Sequence, residues 1–239
     1  RMTVTAKPGE VVASDLISVF IDGTEVQVPK GTLAIRAAEM IGVAIPRFCD
    51  HPLLDPVGAC RQCLVEVPDM GNGRGMPKPQ ASCTLECAPG MKILTQETSA
   101  VAAKAQKGMI EFLLLNHPLD CPICDKGGEC QLQDLAVGYG DSSSRFTETK
   151  RVVFQKEVGP LISMQEMSRC IHCTRCLRFG DEIAGVMELG MANRNLHSEV
   201  QTFLGRSVDS ELSGNVIDLC PVGALTSKPF RYTARNWEL

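Results

Sequence analysis

Arg169-Cys-Ile-His-Cys-Thr-Arg-Cys176, with Cys220-Pro221 far downstream, is the stretch that decides the reading of this chain. Two-cluster bacterial ferredoxins use a C-x2-C-x2-C-x3-C-P run, and the fourth cysteine of each run ligates the other cluster. Here the fourth position of the first run is Gly180. Counting back from Cys220 by the same spacing gives Val216, Ser213 and Ser210. Cys170, Cys173, Cys176 and Cys220 therefore make one complete [4Fe–4S] ligand set, and the second set is missing throughout. The expectation is a ferredoxin-like module over 146–239 that keeps one of its two centres. Residues 178–190 read as helical.

Upstream lies His117-x3-Cys121-x2-Cys124-x5-Cys130, with Gly127-Gly128 before the last cysteine. It offers three thiolates in a tight, turn-rich loop, and a cubane needs four ligands. A histidine at a helix end more often compensates the helix dipole. Beside three clustered cysteines, His117 reads instead as the fourth ligand of a second [4Fe–4S] site. Imidazole brings no negative charge where thiolate would bring one, which is associated with a raised potential. The helix before it spans Thr98 to Asn116, with Val101, Ala105, Met109, Phe112 and Leu113 marking one face. A short helix follows over Gln131 to Val137. This small helical module takes 98–145.

The third set is Cys49-x10-Cys60-x2-Cys63 and a distant Cys83. Plant-type [2Fe–2S] ferredoxins use C-x4-C-x2-C and one remote cysteine. The first gap is longer here, and the logic is unchanged. Cys83 is preferred over Cys87 as the fourth ligand because Gln80-Ala81-Ser82 reads as an approach strand; Cys87 is then the spare thiol. Around the loop, Ile17, Val19 and Ile21 alternate, Asp22-Gly23 supplies a two-residue turn, and Val26 and Val28 return. Thr32 reads as the cap of a helix ending near Ile41. Leu64 to Val67 reads as a strand, and Met70 to Pro79 as a surface loop. The order suggests a β-grasp, ferredoxin-type domain over 15–97, after an arm at 1–14. Asp141 to Thr149 reads as a linker and Val152 to Phe154 as a short strand. The fold class is thus α+β.

Composition agrees. Twelve cysteines are present, and eleven of them with His117 make three sites of four. In a reducing compartment such a count signals metal ligation rather than disulfides. Net charge is −4, with no basic run, so nucleic acid is not an expected partner. The longest apolar stretch, Met109 to Leu115, is broken by Glu111 and is far short of the ~20 residues that span a bilayer. No signal core precedes Ser14. A four-cysteine zinc scaffold is the alternative from another class. His51 and His172 lie near ligands, and His197 reads as a surface residue.

The motifs Gly58-Ala-Cys60-Arg-Gln-Cys63-Leu-Val-Glu, His117-Pro-Leu-Asp-Cys121-Pro-Ile-Cys124-Asp-Lys-Gly-Gly-Glu-Cys130, Arg169-Cys170-Ile-His-Cys173-Thr-Arg-Cys176 and Asp218-Leu-Cys220-Pro-Val-Gly-Ala-Leu resemble, over about 16–239, the N-terminal iron–sulfur region of the large G subunit of respiratory complex I, NADH:quinone oxidoreductase. The resemblance implies an electron relay without a substrate site of its own. Electrons from NADH and flavin would pass the [2Fe–2S], the Cys170-type and the His117-type centres toward quinone. It implies a hetero-oligomer with a flavin/NADH-binding subunit and a two-cluster ferredoxin-like subunit. The location implied is cytoplasmic, peripheral on the inner face of a bacterial plasma membrane, without a span of its own. The iron–sulfur subunits of NAD-reducing hydrogenases and formate dehydrogenases are similar. The G-subunit family continues into a large molybdopterin-oxidoreductase-like region, whereas this sequence stops at Leu239.

Overall fold

The computed structural model describes residues 16–238. The arm expected at 1–14 lies outside them. The described residues divide into two compact units, one holding 16–50 and 55–109, the other 51–54 and 110–238.

The first unit is a five-stranded sheet with strand order β2-β1-β5-β3-β4. β1 (Leu16–Ile21) and β2 (Thr24–Pro29) form the expected hairpin, with Leu16 opposite Pro29 and Ile21 opposite Thr24. Asp22 and Gly23 both take positive φ, as a tight hairpin turn requires. The Asp22 carboxylate accepts hydrogen bonds from the Thr95 N–H at 2.8 Å and the Thr95 hydroxyl at 2.6 Å, tying the turn to the end of β5 (Met91–Leu94). β5 runs parallel to β1 and antiparallel to β3 (Leu64–Met70), and β4 (Gln80–Ala81) closes the edge on β3. Alternate residues Val19, Ile21, Val26, Val28, Val65, Val67, Met91 and Ile93 point to one core. Helix α1 (Ala34–Met40) adds Ile35, Ala37 and Ala38 to it.

Several expectations need correction. Thr32 does not cap α1: Leu33 is the cap residue, without a side-chain bond, and the Thr32 carbonyl instead accepts the Cys87 N–H at 2.9 Å. Helix α2 (Ala100–Leu114) exists, but its buried stripe is Ala102, Gln106 and Ile110 at four-residue spacing. Val101 and Phe112 are exposed. Gln106 is tolerated inside because its Nε2 donates to the Leu64 carbonyl at 2.9 Å and to Gln96 Oε1 at 3.2 Å, and its main-chain carbonyl accepts from Gln62 Nε2 at 3.1 Å. Val152 to Phe154 is not a strand; both named residues are exposed and lack a pairing partner segment.

In the second unit α3 (Gln131–Tyr139) follows Cys130 directly. Two short antiparallel pairs come next in space: β6 (Ile162–Ser163) with β9 (Thr226–Ser227), and β7 (Leu189–Ala192) with β8 (Glu199–Thr202). The helix expected over 178–190 is shorter. α4 (Arg175–Arg178) runs into a π-helical turn, Phe179–Ala184, and the chain has become strand β7 by Leu189. α5 (Asn215–Leu219) delivers Cys220. No described helix is long and apolar enough to cross a membrane.

Candidate metal centres

In the first unit Cys49, Cys60, Cys63 and Cys83 are buried together. Cys60 and Cys83 hydrogen-bond to Cys49, and Cys83 also to Cys63. Hydrogen bonds from Cys60 and Cys83 hold the Cys49 thiol far down, at about 2. A bond from Cys83 holds Cys63 at about 7. The donors Cys60 and Cys83 are pushed up by the same bonds and by burial. Cys87 differs: burial alone raises it to about 11. Backbone N–H groups already point at sulfur, from Cys49 and Gln62 to Cys60 Sγ at 3.4 and 3.5 Å. Between Cys60 and Cys63 the chain bends through Arg61 at φ 59°, a left-handed conformation uncommon outside glycine. Nearby, Arg36 Nη2 grips the buried Asp50 carboxylate at 2.8 and 2.7 Å and so anchors the residue after Cys49.

In the second unit His117, Cys121, Cys124 and Cys130 all line one cavity of about 250 Å³, with Leu114, Leu132 and Arg169 among its other walls. A single water needs only roughly 10–15 Å³, so the space suits a compact polyatomic group. His117 Nδ1 is buried and has no hydrogen-bond partner. Burial first, then the Arg169 charge, lowers the ring's pKa to about 4, so the imidazole is neutral near pH 7 with a lone pair to give. The loop is tight: a Cβ on Gly127 would meet the Cys121 carbonyl at 2.9 Å. Arg235 Nη1 donates to the Cys124 carbonyl at 2.7 Å and braces the loop from the chain's far end.

Cys170, Cys173, Cys176 and Cys220 form the third group. Burial raises all four thiols, Cys170 to about 11 and Cys173 to about 12, and each of those two is raised further by the charge of Cys220. Burial disfavours thiolates, so a positive centre is needed to hold them deprotonated. His172 and Thr174 take positive φ around Cys173, and the His172 N–H points to Cys170 Sγ at 3.4 Å. The three missing-cysteine positions Ser210, Ser213 and Val216, with Gly180, do converge. They line one cavity of about 20 Å³, room for about one water and not for a cubane.

The two cavity-side groups share a wall. Cys130 Sγ lies 3.8 Å from the Pro221 carbonyl oxygen, next to Cys220. A Cβ on Gly223 would overlap Cys124 Sγ. Arg169, beside Cys170, reaches across with Nε on Asp120 at 2.9 Å and Nη1 on the Gly223 carbonyl at 3.4 Å. Cysteine spacing assigns no role to Gly223 or Arg169. Among the described residues no group of three or more His, Cys, Asp and Glu side chains is placed to hold a single metal ion.

Three family models match the chain: a "2Fe-2S iron-sulfur cluster binding domain" over 14–98, the "NADH-ubiquinone oxidoreductase-G iron-sulfur binding region" over 106–145, and the ferredoxin-like domain of "NADH-quinone oxidoreductase subunit 3" over 159–226. The mitochondrial NADH dehydrogenase [ubiquinone] iron-sulfur protein 1 of Solanum tuberosum is 55% identical over 225 residues, which is 94% of this chain and 29% of that protein. The G subunit of the NADH-quinone oxidoreductase of Streptomyces coelicolor is 52% identical over 232 residues, 96% of this chain and 26% of that protein. The chain thus spans under a third of the length of these relatives. Among solved structures, a chain of the NAD+-reducing [NiFe]-hydrogenase in its H2-reduced state superposes with a TM-score of 0.78 at 29% identity, over 91% of this chain and 90% of the other.

Proposed function

The chain belongs to the family of iron–sulfur G subunits of NADH–quinone oxidoreductases, and on that premise we propose that it relays electrons from NADH and flavin toward quinone through one [2Fe–2S] and two [4Fe–4S] clusters. The observation that carries this reading is the cavity of about 250 Å³ where a neutral His117, its Nδ1 without a partner, meets three cysteines. When bound, the clusters supply one-electron exchange.

The residues divide the work. Cys49, Cys60, Cys63 and Cys83 hold the [2Fe–2S] centre in a β-grasp domain. Cys83 is favoured over Cys87 because Cys83 bonds to Cys49 and Cys63, whereas Cys87 is shifted by burial alone. His117, Cys121, Cys124 and Cys130 hold one cubane, and Cys170, Cys173, Cys176 and Cys220 the other. Backbone N–H groups directed at the sulfurs of Cys60 and Cys170 stabilise sulfur charge. The shared wall at Pro221 and Gly223 keeps the two cubane sites adjacent, which suits stepwise transfer.

The partners follow from the same premise: a flavin- and NADH-binding subunit on one side, a two-cluster ferredoxin-like subunit on the other, and a membrane-associated complex around them. A relay role in an NAD-reducing hydrogenase is the second reading, supported by the structural likeness to that enzyme. A zinc scaffold is disfavoured by the cavity, since one tetrahedral zinc with Zn–S bonds of about 2.3 Å would leave most of it empty.

The test is iron and zinc analysis with low-temperature EPR on anaerobically prepared, dithionite-reduced protein. Roughly ten irons per chain with binuclear and cubane signals are expected. Stoichiometric zinc without reducible iron, after a check for cluster loss, would overturn the reading.

A further inference from the structure

Arg169 is a charged side chain that is 3% exposed. Its Nε donates to Asp120 Oδ2 at 2.9 Å and its Nη1 to the Gly223 carbonyl at 3.4 Å. These two anchors fix the plane of the guanidinium. Nη2 remains, buried and without a partner. The same residue lines the His117 cavity. A buried N–H donor left unmade costs about 1–3 kcal/mol, more for a charged group, so its retention calls for a ligand. His117 Nδ1 is the other unpaired atom beside this cavity.

We propose that Arg169 Nη2 is the hydrogen-bond donor and fixed positive charge for the cluster at His117, Cys121, Cys124 and Cys130, and that it raises that cluster's potential. The inference rests on the ligand set proposed above. A cubane gains a negative charge on reduction, and its sulfurs become better acceptors. A buried cation and a directed N–H therefore stabilise the reduced form more than the oxidised one. Low local dielectric strengthens both effects. His117 and Arg169 then act in the same sense: the imidazole withholds a negative charge and the guanidinium adds a positive one. Asp120, 29% exposed, orients Arg169.

The experiment is an EPR-monitored redox titration of the full cluster-loaded protein, wild type against Arg169→Gln and Arg169→Lys. The Cys170-type cubane serves as the internal reference. In Arg169→Gln the reduced-to-oxidised ratio of the His117-type cubane at fixed potential should fall at least tenfold, about 59 mV for one electron. Arg169→Lys keeps the charge without the fork, so a smaller fall is expected. An unchanged ratio in both variants, with iron retained, overturns the proposal. If Arg169→Gln loses the cubane, Arg169→Lys decides: a lowered ratio supports the proposal, and an unchanged ratio or loss of the cubane there too overturns it in favour of a purely structural role. The ligand reading fails separately and earlier, if wild type itself shows no cubane whose signal depends on His117.

Discussion

Gly223→Ala tests the shared wall with one methyl group. The added Cβ would overlap Cys124 Sγ, while Lys126 Cβ at 3.4 Å and Arg169 Cδ at 3.6 Å are at ordinary contact distances. Gly223 is not among the residues with positive φ, so alanine brings no backbone strain. The whole burden falls on the position of one sulfur. Overpacking of this kind costs about 1–3 kcal/mol. If about 2 kcal/mol falls on retention of the His117-type cluster, its affinity drops roughly thirtyfold, since 1.4 kcal/mol is tenfold. Iron should fall from roughly ten toward roughly six per chain, with loss of one cubane signal and retention of the Cys170-type cubane and the binuclear centre. Gly138→Ala in α3 is the control, because a Cβ there meets nothing within 4 Å. Full iron and both cubane signals in Gly223→Ala would refute the shared wall.

Two further outcomes follow from the first unit. Ser99 Oγ accepts the Ala102 N–H at 3.1 Å, an N-cap of α2, so Ser99→Ala should cost about 1 kcal/mol in denaturant unfolding; no change would remove the cap from the account. Burial raises the Cys87 thiol to about 11, so its thiolate is scarce below that pH and grows as pH rises toward it. Iodoacetamide at pH 8 should therefore leave Cys87 unlabelled in folded protein, by peptide mass spectrometry, and Cys87→Ala should keep the binuclear EPR signal that Cys83→Ala loses. Rapid labelling, or the reverse pattern of signals, would exchange the roles of the two cysteines.

The hairpin was fully legible because both of its determinants are local: period-two alternation and an Asp22-Gly23 turn. Helix α2 was legible in extent and not in orientation. Hydrophobicity favoured Val101 and Phe112, yet Gln106 is buried, its side-chain amide donating to the Leu64 carbonyl and its main-chain carbonyl accepting from the Gln62 side chain. Such partners are remote in sequence. Arg169 was hidden for the same reason. Its place before Cys170 is visible in the motif, but its burial, and the Asp120 and Gly223 contacts that hold it, come only with the fold.

The positions without cysteines carry the reverse lesson. Spacing arithmetic alone singled out Gly180, Ser210, Ser213 and Val216, and the fold brings these four to one cavity. The helix expected after Cys176 is interrupted there by the π-helical turn Phe179–Ala184, and a Cβ on Gly180 would come within 2.9 Å of the Val186 carbonyl. Backbone thus occupies space that a fourth cysteine would need. Restoring cysteines at these four positions would not by itself restore room for a cubane in about 20 Å³, because the turn would have to open as well. The retained ligand set and the closed one are therefore separated by backbone path as well as by side-chain identity, and spacing in sequence can reveal only the second.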